Sequence, residues 1–147
     1  MTLSELHQEY IAHRMVQLSE AEFASLISFT PVLLVAVSDH NIDHLETGYL
    51  TGLLAEQTMG MHIQLSDSPP SDALLQTFVE ELRYLLYHLD RWEASLLDVL
   101  TQHLLDKPQL KERIRVQMVA MALASRGINE LERAKMKAIG ERLGIAV

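Results

Sequence analysis

Six side chains between positions 39 and 46 have the types and spacing that could do chemistry: Asp39, His40, Asn41, Asp43, His44 and Glu46. Asp39, Asn41, Asp43 and Glu46 offer four oxygen donors within eight residues, a set suited to a hard cation such as Ca²⁺. Asp-x-Asn-x-Asp also opens an EF-hand loop. Here the sixth place holds His44 where a glycine makes the sharp turn, and the twelfth holds Leu50 where a glutamate closes the shell, so an EF-hand is excluded. His40 and His44 add two imidazoles four residues apart, but His40 falls in the predicted loop and gains nothing from helical spacing. The metal reading therefore centres on Asp39, Asp43 and Glu46, as one weak divalent-cation site. A plainer reading stands beside it. Asp43 is a good helix N-cap and Glu46, three residues on, completes the reciprocal cap, so both can serve only to hold a helix end.

The same local logic recurs 86 residues later. Val35 to Glu46 aligns with Met121 to Glu132, with Ala36, Ile42, Leu45 and Glu46 falling on Ala122, Ile128, Leu131 and Glu132. Each copy is an apolar helix, a short polar loop, one apolar anchor and a capped amphipathic helix, with Asn129 and Glu132 forming the second cap. Units near 32–58 and 118–144 are predicted. The second copy has Ser125 and Arg126 where the first has Asp39 and His40, so any metal site should be single.

This pattern resembles the TerB-like family, named for a tellurite-resistance protein. The residues that carry the resemblance are Ala36, Asp39, Ile42 and Glu46, then Ala122, Ile128 and Glu132, then the closing run Ile139, Leu143, Gly144 and Ile145. Both motif glycines are replaced, by His40 and Arg126. The resemblance implies a compact all-helical domain of seven or eight helices with pseudo-symmetric halves. It also implies a stress-associated, tellurite-resistance-like role and a link between the acidic loop and metal binding.

The elements that must position these residues are read from apolar spacing, which is helical nearly throughout. Residues 3–17 place Leu3, Leu6, Tyr10, Ile11 and Met15 on one side. Ser19 with Glu22 reads as a capping box opening a helix toward Ser28, and Pro31 suits the first turn of the next. A helix is predicted from Asp43 to about Met59, and the Ser- and Pro-rich stretch 66–71 separates it from the following half. From Asp72 the leucine phase runs through Leu104, with a break expected near residue 90, where Asp90 and Glu93 could cap a second helix. Pro108 opens a helix ending near Ala124, and the last spans 129–143 before Gly144. The expectation is a single all-α domain over residues 1–147.

Composition narrows function. The 147 residues are 48% hydrophobic and contain no cysteine, which removes disulfides, thiol nucleophiles and thiolate metal sites. The most apolar run, Phe29 to Val37, is far below the ~20 residues a membrane helix needs, and no secretory leader is visible; the expected location is the cytoplasm. The net charge of −8 is uneven: residues 1–106 hold 16 acidic and 3 basic side chains, and residues 107–147 hold 9 basic and 4 acidic. The basic third has no aromatic residue to stack on bases, so no nucleic-acid partner is expected; it either folds beside the acidic remainder or docks on another chain. No Gly-x-Ser-x-Gly elbow, phosphate loop or paired Glu-x-x-His is present, and an enzyme is not expected. The leading expectation is a binding or scaffold domain with at most one divalent-cation site. The alternative is a ligand-free regulatory domain that meets protein partners, or itself, through Lys111, Arg115, Lys135 and Lys137. Met59, Met61, Met118, Met121 and Met136 could line an apolar pocket, or simply fill the core.

Overall fold

In the computed structural model the described residues are 1–37, 72–124 and 130–146. Their elements are α1 (Leu3–Arg14), α2 (Glu20–Ile27), α3 (Thr30–Ala36), α4 (Asp72–Tyr87), α5 (Leu89–His103), α6 (Pro108–Ala124) and α7 (Glu130–Leu143). These form one all-α, compact bundle with a single continuous apolar core.

Local rules set the helix starts, at Thr2 without a sequence expectation and at Ser19 and Pro31 as expected. Thr2 caps α1, its Oγ1 accepting from the Glu5 amide at 3.1 Å. The capping box before α2 is complete: Ser19 Oγ accepts from the Glu22 amide at 3.1 Å, and the Glu22 carboxylate accepts from the Ser19 amide at 2.8 Å. Pro31 lies in the first turn of α3, where its missing N–H leaves no bond unmade. The seven residues of α3 are all buried, as a helix apolar on every side must be. It packs chiefly on α6 and α7, the two helices of the second predicted repeat unit.

Gly144 ends α7 at φ +72°, a conformation open to glycine at no steric cost. The Ile145 amide then reaches back to the Gly140 carbonyl at 2.8 Å, and the Ile145 side chain is buried. That is a Schellman cap, and it explains the Leu-Gly-Ile ending in physical terms.

Two local expectations are corrected. Met15 does not extend the apolar side of α1; it leaves the helix at φ +54° and is 91% exposed, while the Val16 amide bonds the Ile11 carbonyl. The break expected near residue 90 falls at His88, and Asp90, expected to cap the second helix, lies instead within the first turn of α5. His88 Nδ1 bonds the Tyr84 carbonyl at 2.8 Å, capping the end of α4 with a side chain. A carbonyl only accepts, so Nδ1 carries the proton there.

Met118, Met121 and Met136 are ordinary core. The helix predicted for 43–59, Met59, Met61, the anchors Ile42 and Ile128, and the cap at Asn129 lie outside the described residues. No helix among the described residues is long and apolar enough to cross a membrane.

Candidate functional site

The proposed cation ligands Asp39, Asp43 and Glu46 lie outside the described residues. Among the described residues no group of three His, Asp or Glu side chains stands where it could hold a metal ion. Glu132, the second-copy counterpart of Glu46, is placed: it sits in the first turn of α7 and is buried.

Two regions concentrate polar chemistry. The first is the junction of α1, α4 and α5. Helical spacing of four puts Tyr10 and Arg14 on one face of α1, and both reach Glu81 on α4. Glu81 is only 3% exposed, and its carboxylate is fully engaged. Oε1 accepts from the Tyr10 hydroxyl at 2.8 Å and from Arg14 Nε at 2.8 Å; Oε2 accepts from Arg14 Nη2 at 3.0 Å. This two-pronged guanidinium–carboxylate pair is the strongest geometry available to such groups. Burial, then the bond to Glu81, pushes the Tyr10 hydroxyl far above the ordinary tyrosine range; Arg14 is raised by its own bonds to Glu81.

Aromatic rings close over the pair. The Arg14 guanidinium lies 3.9 Å from the Tyr84 ring centre, Trp92 Nε1 donates to the Tyr84 hydroxyl at 2.9 Å, and His88 stacks on Tyr84 at 4.3 Å. Arg91 Nη2 stands 3.3 Å from His13 Nδ1. A guanidinium only donates, so His13 accepts there and keeps its proton on Nε2. His7, buried nearby against Phe23, donates from Nε2 to the Leu18 carbonyl at 2.6 Å. The arrangement fixes α1 on α4. With both carboxylate oxygens engaged by Tyr10 and Arg14, Glu81 is built as a structural anion.

The second region is the cationic C-terminal pair, α6 and α7. Part of its charge turns inward. Lys135 pairs with Glu93 on α5 at 3.1 Å, and Arg142 pairs with Asp98 on the same helix. Arg115 pairs with Glu112 one turn earlier, its Nε 2.9 Å from the carboxylate, and Lys107 pairs with Asp106. The Lys111 ammonium lies near Gly144, at the carbonyl end of α7 where the helix dipole favours a cation. Of the four cations predicted to meet a partner, Lys135 and Arg115 are thus engaged within the chain, Lys111 faces a helix terminus, and Lys137 is exposed. Arg113 and Arg133 are exposed as well; neither they nor Lys137 form an ion pair with a described residue.

Between α2 and α6 runs an open groove of about 420 Å³, lined by Leu3, Ala21, Ala24, Ser25, His103 and Arg113 among others. Burial, then the nearby Lys107, lowers the His103 pKa. Sequence reasoning did not find the Tyr10–Arg14–Glu81 network. The available signal was Glu81 itself, a carboxylate in phase with Phe78, Leu82 and Leu85 on the apolar side of its helix.

Comparisons with protein-family models, with curated proteins and with solved structures gave no match.

Proposed function

We propose that the chain is a non-enzymatic binding or scaffold domain whose cationic helices, α6 and α7, dock an acidic protein partner. One observation carries this reading: internal pairing neutralises only part of the basic third. Lys135 and Arg142 face α5, whereas Arg113, Arg133 and Lys137 stand at the surface with no ion pair among the described residues. Surface charge of one sign on a protein of opposite net charge speeds encounter with oppositely charged partners and selects among them. The junction around Glu81 supports the non-enzymatic part, because its charged groups are consumed in holding helices together.

The test is binding of poly-glutamate, followed by fluorescence anisotropy, at low salt and at about 0.5 M salt, where screening shortens to a few ångströms. Binding at low salt that disappears at high salt is the expected result. Absence of binding at both, with light scattering showing a strict monomer, refutes the proposal.

The TerB-like pattern supports a second, stress-associated reading: seven or eight helices in two pseudo-symmetric units, located in the cytoplasm, with one weak divalent-cation site at Asp39, Asp43 and Glu46. Its support is the oxygen-donor spacing of the 39–46 segment. Calorimetric titration with Ca²⁺, Mg²⁺ and Zn²⁺ tests it. Heat that is lost in Asp39→Asn and Asp43→Asn supports the site; no heat at about millimolar ion removes it.

A further inference from the structure

Helix α6 is apolar on two opposite sides over its C-terminal half. Its inner side, Ile114, Met118, Met121 and Ala122, is buried in the core against α3. Its outer side carries Val116, Ala120 and Leu123 at i, i+4 and i+7, which at 100° per residue form one stripe about 10 Å long. Val116 is 50% exposed and Leu123 56%. Eight residues on, Leu131 in the first turn of α7 is 58% exposed. A surface helix normally turns polar residues outward. In α6 the nine residues from Val116 to Ala124 include one polar side chain, Gln117, and that one is buried on the inner side.

Charge decides what fits this stripe. It begins one turn beyond Arg113, and it lies within a segment of 9 basic and 4 acidic residues. A second copy docked stripe to stripe would bring two such basic segments together, and like charges across an interface are costly. A nucleic acid offers phosphates but has little use for an aliphatic stripe without aromatic residues, and residues 107–147 contain none. An amphipathic helix of another protein matches both features, with aliphatic anchors at i, i+3, i+4 and i+7 on one side and carboxylates along the edges.

We infer that the outer side of α6, from Val116 to Leu123, is a docking surface for an acidic amphipathic helix. The inference rests on the proposed binding role of α6 and α7 and names the kind of segment they receive.

The experiment uses the full chain and a fluorescein-labelled peptide of about 16 residues, with leucines at i, i+3, i+4 and i+7 and alanines and a few glutamates elsewhere, a composition that favours a helix on binding. A scrambled peptide of identical composition and an oligonucleotide of equal charge serve as probes of the alternatives. The patterned peptide should bind at least about tenfold more tightly than either. Leu123→Ser and Val116→Ser should each weaken binding several-fold, and Arg113→Ser should flatten its salt dependence, all with unchanged melting temperature. Equal binding of the scrambled peptide overturns the helix assignment while leaving the charge-based role intact. Equal binding of the oligonucleotide overturns the choice of partner. Self-association dissolved by Leu123→Ser would make a second copy the occupant and likewise overturn it. No binding of any probe at any salt defeats both this inference and the reading beneath it.

Discussion

The junction of α1 with α4 and the outer side of α6 treat their side chains in opposite ways. At the junction a tyrosine and a glutamate are buried, and a half-buried arginine pairs with the carboxylate, so that all three are satisfied there. On α6 aliphatic side chains that the core could have taken are left at the surface. A carboxylate buried beside its counter-ion with every oxygen bonded is costly to assemble and costlier to break, so it specifies how two helices meet. An exposed aliphatic stripe contributes little to the isolated fold. The contrast separates residues kept for architecture from residues available to a partner, and substitutions at the two places should behave accordingly.

The largest effect is expected at the junction. Arg14→Ala leaves the Glu81 carboxylate buried without its counter-ion and should cost about 3–5 kcal/mol, measured by chemical denaturation. Replacing both partners with apolar residues of similar size, Arg14→Met with Glu81→Leu, should recover much of that loss. If Arg14→Ala cost under about 1 kcal/mol, the pair would be no more than a surface bridge.

Tyr10→Phe should cost about 1–2 kcal/mol, since it removes one hydrogen bond to a charged acceptor and leaves Arg14 in place. It should also alter the alkaline limb of stability. The folded-state pKa of Tyr10 is raised above its unfolded value, so the neutral phenol contributes stability that is fully present below the unfolded pKa of about 10 and declines as pH rises beyond it. Melting temperature between about pH 9 and pH 11 should therefore fall more steeply in the native chain than in Tyr10→Phe. Parallel curves would contradict the assignment.

Smaller effects belong to the seam between α5 and α7. Lys135→Ala and Arg142→Ala remove half-exposed ion pairs and should each cost under about 1 kcal/mol, less still in high salt. The smallest of all is expected at Leu123→Ser, within about 0.5 kcal/mol of the native chain. A loss of about 2 kcal/mol or more there would mean that Leu123 belongs to the core, and the comparison would fail.

What the sequence made legible follows the same division. Interactions that close within a few residues were readable in advance. The Ser19–Glu22 box, Pro31 in the first turn of α3 and the Gly144 cap are governed by neighbours alone. The core leucines from Leu82 to Leu104 were readable because burial imposes a period. Contacts between distant residues were not. Arg14 and Glu81 are 67 positions apart, and a single arginine in α1 gives no sign of its partner. Met15 was misread because apolar spacing alone does not show where a helix stops, and the turn that ends α1 needs no glycine to announce it. The break near residue 90 was readable, but Asp90 was misread as its cap because a histidine reaching back four residues to a carbonyl is not a familiar stop signal. The aspartates at 39 and 43 and Glu46, the first residues to suggest chemistry, lie outside the described residues.

Methyl-resolved NMR of the full chain, titrated with the acidic leucine-patterned peptide, tests the central claim most directly. Shifts at Val116, Leu123 and Leu131 that saturate together are expected, while the methyls of Leu6, Leu82 and Leu85 around the Glu81 network stay in place. Shifts centred on that network, with the α6 methyls unmoved, would contradict it.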